Sequence, residues 1–168
     1  MLKPREKTPD LTINLVNDTE WTLSKQDPKT FTLLIVYRGI HCPVCKKYLE
    51  ALQTKLSEFN DLGVNVIAIS SDTEKTAKKT YDEWAIGDVP IGFEFPIEDA
   101  RAWGLFISKG IKDEPETFIE PGLFLIRPDQ ELYAASIQSM PFARPEFDAL
   151  IKAIKFVKNE DYPARGEA

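Results

Sequence analysis

Phe31-Thr32-Leu33-Leu34-Ile35-Val36-Tyr37-Arg38-Gly39-Ile40-His41-Cys42-Pro43-Val44-Cys45 is the stretch whose reading decides the fold. Its first seven residues form a nearly unbroken run of β-branched, aromatic and other apolar side chains, short enough for a strand covered on both faces. From Cys45 the apolar residues return at Leu49, Leu52, Leu56 and Phe59, in steps of four and three, which predicts one helix ending near Gly63. Val64 to Ile69 then reads as a second buried strand. Strand, helix and strand at this spacing predict a right-handed parallel unit. The two cysteines fall where strand hands over to helix, at the C-terminal end of a parallel strand, a usual location for sites in open α/β sheets.

Outward from this unit, Leu11 to Leu15 alternates apolar and polar residues, Asn17-Asp18 supplies a turn and Trp21 to Leu23 resumes the alternation. That pattern predicts an N-terminal β-hairpin added to the edge of the sheet. Downstream, Ser71 to Glu74 has the spacing of a capping box for a helix running towards Trp84. Phe93 to Pro96 reads as short and extended and Glu98 to Trp103 as one or two helical turns, and this middle region is the least regular. Leu123 to Ile126 is a third buried strand, turned by Pro128-Asp129-Gln130 into an antiparallel partner at Glu131 to Ala135. Phe147, Leu150, Ile151, Ile154 and Val157 mark a closing amphipathic helix, and the polar residues from about 159 to 168 predict a frayed tail. The order predicts an α/β protein with a thioredoxin-like fold, a mixed central sheet flanked by helices, as one domain over residues 1–168.

With 43% hydrophobic residues, including ten Phe, five Tyr and three Trp, 168 residues can bury a core without cross-links. The only two cysteines are separated by two residues, so a bond between them closes too short a loop to serve as a staple. A formal charge of -6 works against binding nucleic-acid backbones or anionic membranes. The polar first seven residues carry no apolar run of a secretory signal, and no later segment approaches a membrane span, so a soluble, cytoplasmic protein is expected. In a reducing compartment a close cysteine pair is more often catalytic or metal-binding than structural. Zinc wants four ligands, and His41 is the only histidine and no second cysteine pair exists, so no metal is expected.

Cys42 falls at the cap of the predicted helix and Pro43 at its first residue, where a missing amide hydrogen costs nothing. Unpaired amides and the positive end of the helix dipole there favour a thiolate, lowering a thiol pKa of about 8.5 by about a unit or more. Cys45 begins the buried stripe while Cys42 stands at its open end, which assigns attack to Cys42 and resolution to Cys45. Such exchange needs no metal or organic cofactor. Lys46 and Lys47 add charge within a turn but read as solvated. His41 either shares a proton with the neighbouring sulfur or stands by as a neutral ring.

Asp10 onwards, Tyr37 to Cys45, Phe95-Pro96-Ile97-Glu98-Asp99, Gly122 to Ile126 and Ser139 to Arg144 together resemble the peroxiredoxin-like AhpC/TSA family over nearly the whole chain. The resemblance implies a thioredoxin fold and reduction of peroxides through a cysteine at the position of Cys42, with a thiol donor such as thioredoxin or glutathione. Three positions depart from it. Gly39 stands where those peroxidases carry a peroxide-orienting threonine or serine, Ile35 where they carry a proline, and Pro121 where they carry an arginine. A proline opening this strand is what thioredoxins have in cis form, leaving backbone free to dock a substrate disulfide, so Pro121 is the candidate cis-proline against an ordinary trans strand opener. Arg144 matches a second arginine of the family and lies either beside the thiolate or on the surface. Glu120 either faces solvent or sits beside the sulfur, where its charge would raise the Cys42 pKa. The leading expectation is a thiol-disulfide oxidoreductase on a peroxiredoxin-like scaffold. A peroxidase with Cys42 peroxidatic and Cys45 resolving, and a binding protein that keeps the fold without turnover, are the alternatives.

Overall fold

The computed structural model describes residues 2–168, and Met1, the first residue of the polar start, lies outside the described residues. The chain opens on the expected hairpin: β1 (Thr12–Asn14) pairs antiparallel with β2 (Glu20–Thr22), and Asn17 accepts from the Thr19 hydroxyl at 2.6 Å inside the turn. It does not extend the main sheet. The hairpin forms a two-stranded sheet of its own, tied to the main sheet by an isolated bridge from Leu15 to Gly92 and by Ile13 and Leu15 packing in the same apolar cluster as Ile67 and Ile69.

β3 (Phe31–Val36) is buried along its whole length. Because successive strand residues point to opposite faces, Leu33 and Ile35 belong to one apolar cluster and Leu34 and Val36 to another. The helix after it is broken in two, α1 (Pro43–Gln53) and α2 (Leu56–Asp61), where the apolar spacing predicts one. At the break Thr54 turns its hydroxyl back onto the Ala51 carbonyl at 2.7 Å, and the Thr54 and Lys55 amides reach carbonyls three residues back. Those tighter bonds end the α-helical ladder while the apolar rhythm continues through Phe59. β4 (Val64–Ile69) returns parallel to β3, as predicted.

α3 (Glu74–Glu83) is capped by Thr73, whose hydroxyl accepts from the Thr76 amide at 3.3 Å, so the expected box from Ser71 is not the one used. β5 (Ile91–Gly92) precedes the stretch expected to be extended, α4 (Ile97–Ala102) forms as anticipated, and β6 (Ile107–Lys109) with β7 (Thr117–Ile119) makes an unanticipated hairpin. β8 (Gly122–Ile126) lies antiparallel to β3, β9 (Leu132–Ile137) lies antiparallel to β8, and α5 (Phe147–Glu160) closes the chain. The central sheet therefore runs β5-β4-β3-β8-β9, mixed and flanked by helices, the thioredoxin-like architecture expected.

Beyond Glu160 the chain has no regular structure and is mostly exposed, with a few contacts back to the body of the fold. Left-handed Asp161 stops the helix, Pro163 bars its continuation, and Ala164 turns back into the core at 3% exposure. Tyr133 donates to the Tyr162 carbonyl at 2.9 Å and Arg5 to the Ala164 carbonyl at 3.0 Å. Among the described residues no helix is long and apolar enough to cross a membrane.

α5 is held to α1 and α2 by Phe147, whose ring lies 4.4 Å from Tyr48 and 6.1 Å from Phe59. Phe147→Ala removes that ring from a buried site and is expected to lower unfolding stability by about 3–5 kcal/mol, read from urea denaturation followed by far-UV dichroism.

Candidate functional site

Tyr37 carries the buried run of β3 one residue further, and the chain then leaves the sheet through Arg38 to His41. The Cys42 amide closes a turn onto the Gly39 carbonyl at 3.2 Å, and α1 starts there with Cys42 as its N-cap and Pro43 in its first turn, as the sequence predicts. The Cys42 sulfur takes the place usually held by a hydroxyl or carboxylate oxygen, accepting from the Cys45 amide at 3.2 Å. Both cysteines are free thiols, and their exposures are 2% for Cys42 and 0% for Cys45. The open end expected at Cys42 is thus closed, because Cys42 packs in the same apolar cluster as Tyr37, Cys45 and Leu49.

What separates the two sulfurs is charge rather than access. The neighbouring Cys45 thiol is the largest influence holding the Cys42 thiol below its ordinary value; burial opposes it, and the Cys45 amide and the Arg144 and Arg38 guanidinium groups add to it. Cys45 moves the other way. Burial first, and the bond to Cys42 second, push its thiol up, while Arg144 pulls against them. One sulfur is prepared as a thiolate, and the other is kept protonated to hydrogen-bond it.

Arg144, from the segment before α5, meets this pair at Cys45 and not at Cys42. Its Nη2 lies 3.0 Å from Cys45 Sγ, its Nε donates to the Pro141 carbonyl at 2.9 Å, and its guanidinium stacks 4.4 Å above the Tyr48 ring. Glu120 is also close to the site, but its partners are not the ones anticipated. At 2% exposure it accepts from Arg38 at 3.1 Å and from the Ser108 hydroxyl at 2.6 Å, and Arg38 also lies 3.8 Å from Glu114 and 4.5 Å above the Phe118 ring. The carboxylate that was expected either to oppose the thiolate or to face solvent does neither: it is committed to a buried ion pair that holds Arg38.

His41 turns its ring onto Phe118 at 4.7 Å, and neither ring nitrogen has a hydrogen-bond partner. Burial first, then the charge of Arg38, hold its pKa below the ordinary value, which makes it a neutral ring beside the site. Pro121 is not the cis-proline expected, because the described residues contain no cis peptide bond. The Glu120 amide bonds to the Phe106 carbonyl and the Gln138 amide to the Pro121 carbonyl, both at 2.9 Å, so this segment runs extended from β7 into β8 and needs no reversal.

Asp72, just past the end of β4, is a site residue that the sequence reading missed, as it missed Arg38 and Tyr48. Its carboxylate accepts from the Ile40 amide at 2.9 Å and is 7% exposed. Gly39 has φ +130°, and a side chain there would run into Asp72 Oδ1. The hydroxyl absent at position 39 is therefore excluded by a carboxylate already in its space. The available signal was Asp72's position at the C-terminal end of a parallel strand, where sites gather.

Burial, partly offset by the Ile40 amide, raises the Asp72 pKa from 3.8 to about 6. Between those values the native state binds a proton that the unfolded chain has released, so stability falls as pH rises through this window. Asp72→Asn is expected to flatten that slope in denaturation curves taken across it. Gly39→Ala combines a disfavoured backbone with the collision and should cost about 1–3 kcal/mol or more in the same assay. Glu120→Ala leaves Arg38 without its buried partner, with an expected loss of about 1.5–3 kcal/mol.

Comparison with known proteins places the site in context. At 27% identity, 151 residues align with alkyl hydroperoxide reductase C of Staphylococcus haemolyticus, covering 86% of this chain and 78% of that protein. The Staphylococcus epidermidis protein of the same name is 29% identical over 129 residues, 74% of this chain and 67% of that one. Among solved structures, Enterococcus faecalis AhpC superposes with a TM-score of 0.77 at 18% identity, covering 98% of this chain and 99% of that one. Peroxidoxin BcpB of Mycobacterium tuberculosis gives 0.74 at 18% identity over 95% and 98% of the two chains. These two share the fold. The AhpC/TSA family model matches residues 4–135, well over half of the sequence, and the chain belongs to the AhpC/TSA family.

Proposed function

We propose that this chain is a thiol-dependent oxidoreductase that exchanges disulfides, with Cys42 attacking and Cys45 resolving. The observation that carries the reading is the bond from the Cys45 amide to Cys42 Sγ at 3.2 Å, in a pair whose thiols are shifted in opposite directions. Cys42 thiolate attacks one sulfur of a substrate disulfide and releases the other as a thiolate, which takes a proton. Cys45 then attacks Cys42 Sγ, forming the Cys42–Cys45 bond and releasing the second substrate thiol. Two electrons and two protons pass to the substrate. A small thiol or a reduced dithiol protein, such as glutathione or thioredoxin, returns them in a reducing compartment such as the cytoplasm. Pro43 contributes by starting α1 at the nucleophile, which aims the unpaired amides of the first turn at Cys42.

Peroxide reduction on the same pair is the second reading, favoured by the Arg144 and Arg38 charges that act on Cys42 and by the names of the curated relatives. In it the Cys42 thiolate would attack one peroxide oxygen, forming a sulfenic acid as the O–O bond breaks and the other oxygen leaves, protonated, as an alcohol or water; Cys45 would then close the disulfide with loss of water. Gly39 and Asp72 argue against it, since the position of the orienting hydroxyl is filled by a carboxylate.

Reduction of insulin disulfides by the parent with a dithiol donor should disappear in Cys42→Ser, while Cys45→Ser should accumulate a mixed disulfide visible by mass spectrometry. Equal turnover by the parent and Cys42→Ser would refute the proposal. Peroxide consumption that outpaces insulin reduction with the same donor would instead select the second reading. The lowered Cys42 thiol also predicts that the alkylation rate falls off, as pH drops, at a midpoint below the ordinary thiol value of about 8.5.

A further inference from the structure

The Arg144 guanidinium touches the sulfur that the exchange uses second. Nη2 stands 3.0 Å from Cys45 Sγ, and no comparable contact reaches Cys42. Two contacts hold the guanidinium there. The Tyr48 ring, one turn after Cys45 on α1, stacks beneath it at 4.4 Å, and the Pro141 carbonyl takes its Nε at 2.9 Å. Tyr48 in turn donates to the Pro145 carbonyl at 2.7 Å, so residues 141–145 are tied to the helix that carries both cysteines.

Resting on the exchange proposed above, we infer that Arg144 is the positioning residue of the second half of the reaction: it favours the thiolate of Cys45 once Cys42 is bound to substrate. In the resting pair, Cys45 is a hydrogen-bond donor to Cys42 thiolate and has reason to keep its proton. When Cys42 is in a mixed disulfide its sulfur carries no charge, and that reason is gone. Cys45 remains fully buried, where an unpaired thiolate is costly, and the guanidinium at 3.0 Å is the group placed to offset the cost. The Cys45 proton passes to the departing substrate thiolate, directly or through water. The Cys45–Cys42 bond forms as the bond from Cys42 to substrate breaks, so Cys45 is oxidised and the substrate sulfur reduced. Arg144 thereby sets how long the mixed disulfide lasts, and with it the chance that a bulky or poorly seated substrate escapes unreduced.

The test uses dithiobis-nitrobenzoate, an aromatic disulfide whose released thiolate is coloured, mixed rapidly with the fully reduced protein. Parent protein is expected to release two equivalents in two phases, the first from attack by Cys42 and the second from resolution by Cys45. Arg144→Met should slow the second phase by about tenfold or more, the scale of a lost charge-assisted hydrogen bond, and the first by a clearly smaller factor, since Arg144 touches Cys45 and reaches Cys42 only through its charge. Its second phase should also shift to higher pH, and Arg144→Lys, which keeps the charge, should recover part of the rate at the parental midpoint. Should Arg144→Met misfold, Tyr48→Leu, which removes the stacking platform, is expected to slow the same phase by a smaller factor. An unchanged second phase, or equal slowing of both, overturns the role of Arg144 while leaving the exchange standing. A single equivalent from the parent overturns the exchange itself, and this inference with it.

Discussion

β3 hydrogen-bonds on both sides, parallel to β4 and antiparallel to β8, and nearly everything at the site follows from that double pairing. A strand so enclosed has no freedom to shift register, because a slip of one residue would exchange Leu33 and Ile35 with Leu34 and Val36 between the two cores. Its last residues are therefore fixed, and the chain can leave only at the end where β4 and β5 also finish. Arg38, Gly39 and the two cysteines emerge from one rim of the sheet, Asp72 from the next strand, and Glu120 and Pro121 from the approach to β8. The sheet thus gathers at one edge residues that are far apart in sequence.

On that rim, cations and carboxylates are sorted into separate tasks. Arg38 is anchored by Glu120, Arg144 by Tyr48 and Pro141, and the two guanidinium groups flank the cysteine pair from opposite segments. Neither is free to swing towards solvent, so the field they impose on the sulfurs is built into the fold instead of being gathered when substrate arrives. Asp72 does a different job, bracing the Gly39-Ile40 turn through the Ile40 amide and so fixing where Cys42 begins its helix.

How much of this the sequence disclosed depends on the range of the forces involved. β3, β4 and β8 were readable because burial on both faces leaves an apolar run with no alternative use, and α1 because Cys42-Pro43 is itself a helix start. The break at Thr54 was hidden, since Leu56 and Phe59 keep the helical rhythm across it while the cause is a hydroxyl bonding its own backbone. β6 and β7 are three residues each, so their pattern is too short to rise above loop, yet in that hairpin Phe118 lies against Arg38 and Ser108 bonds the Glu120 carboxylate that pairs with it. The pairing of Arg38 with Glu120 spans 82 residues and that of Arg144 with Cys45 spans 99, distances at which local periodicity carries no information. The cis form expected at Pro121 was inferred from its context in other proteins; here the hydrogen bonds of residues 120 and 138 hold the chain straight.

The contact between Gly39 and Asp72 also bears on how such a site can change over generations. A hydroxyl-bearing residue cannot enter position 39 while the carboxylate of residue 72 fills the space, and the backbone there already favours glycine. Removing the carboxylate first releases the Ile40 amide and loosens the turn that sets Cys42. Either single step passes through a poorer protein, so the two positions are bound into one unit of inheritance. Covariation of residues 39 and 72 among related sequences is the trace expected of such coupling.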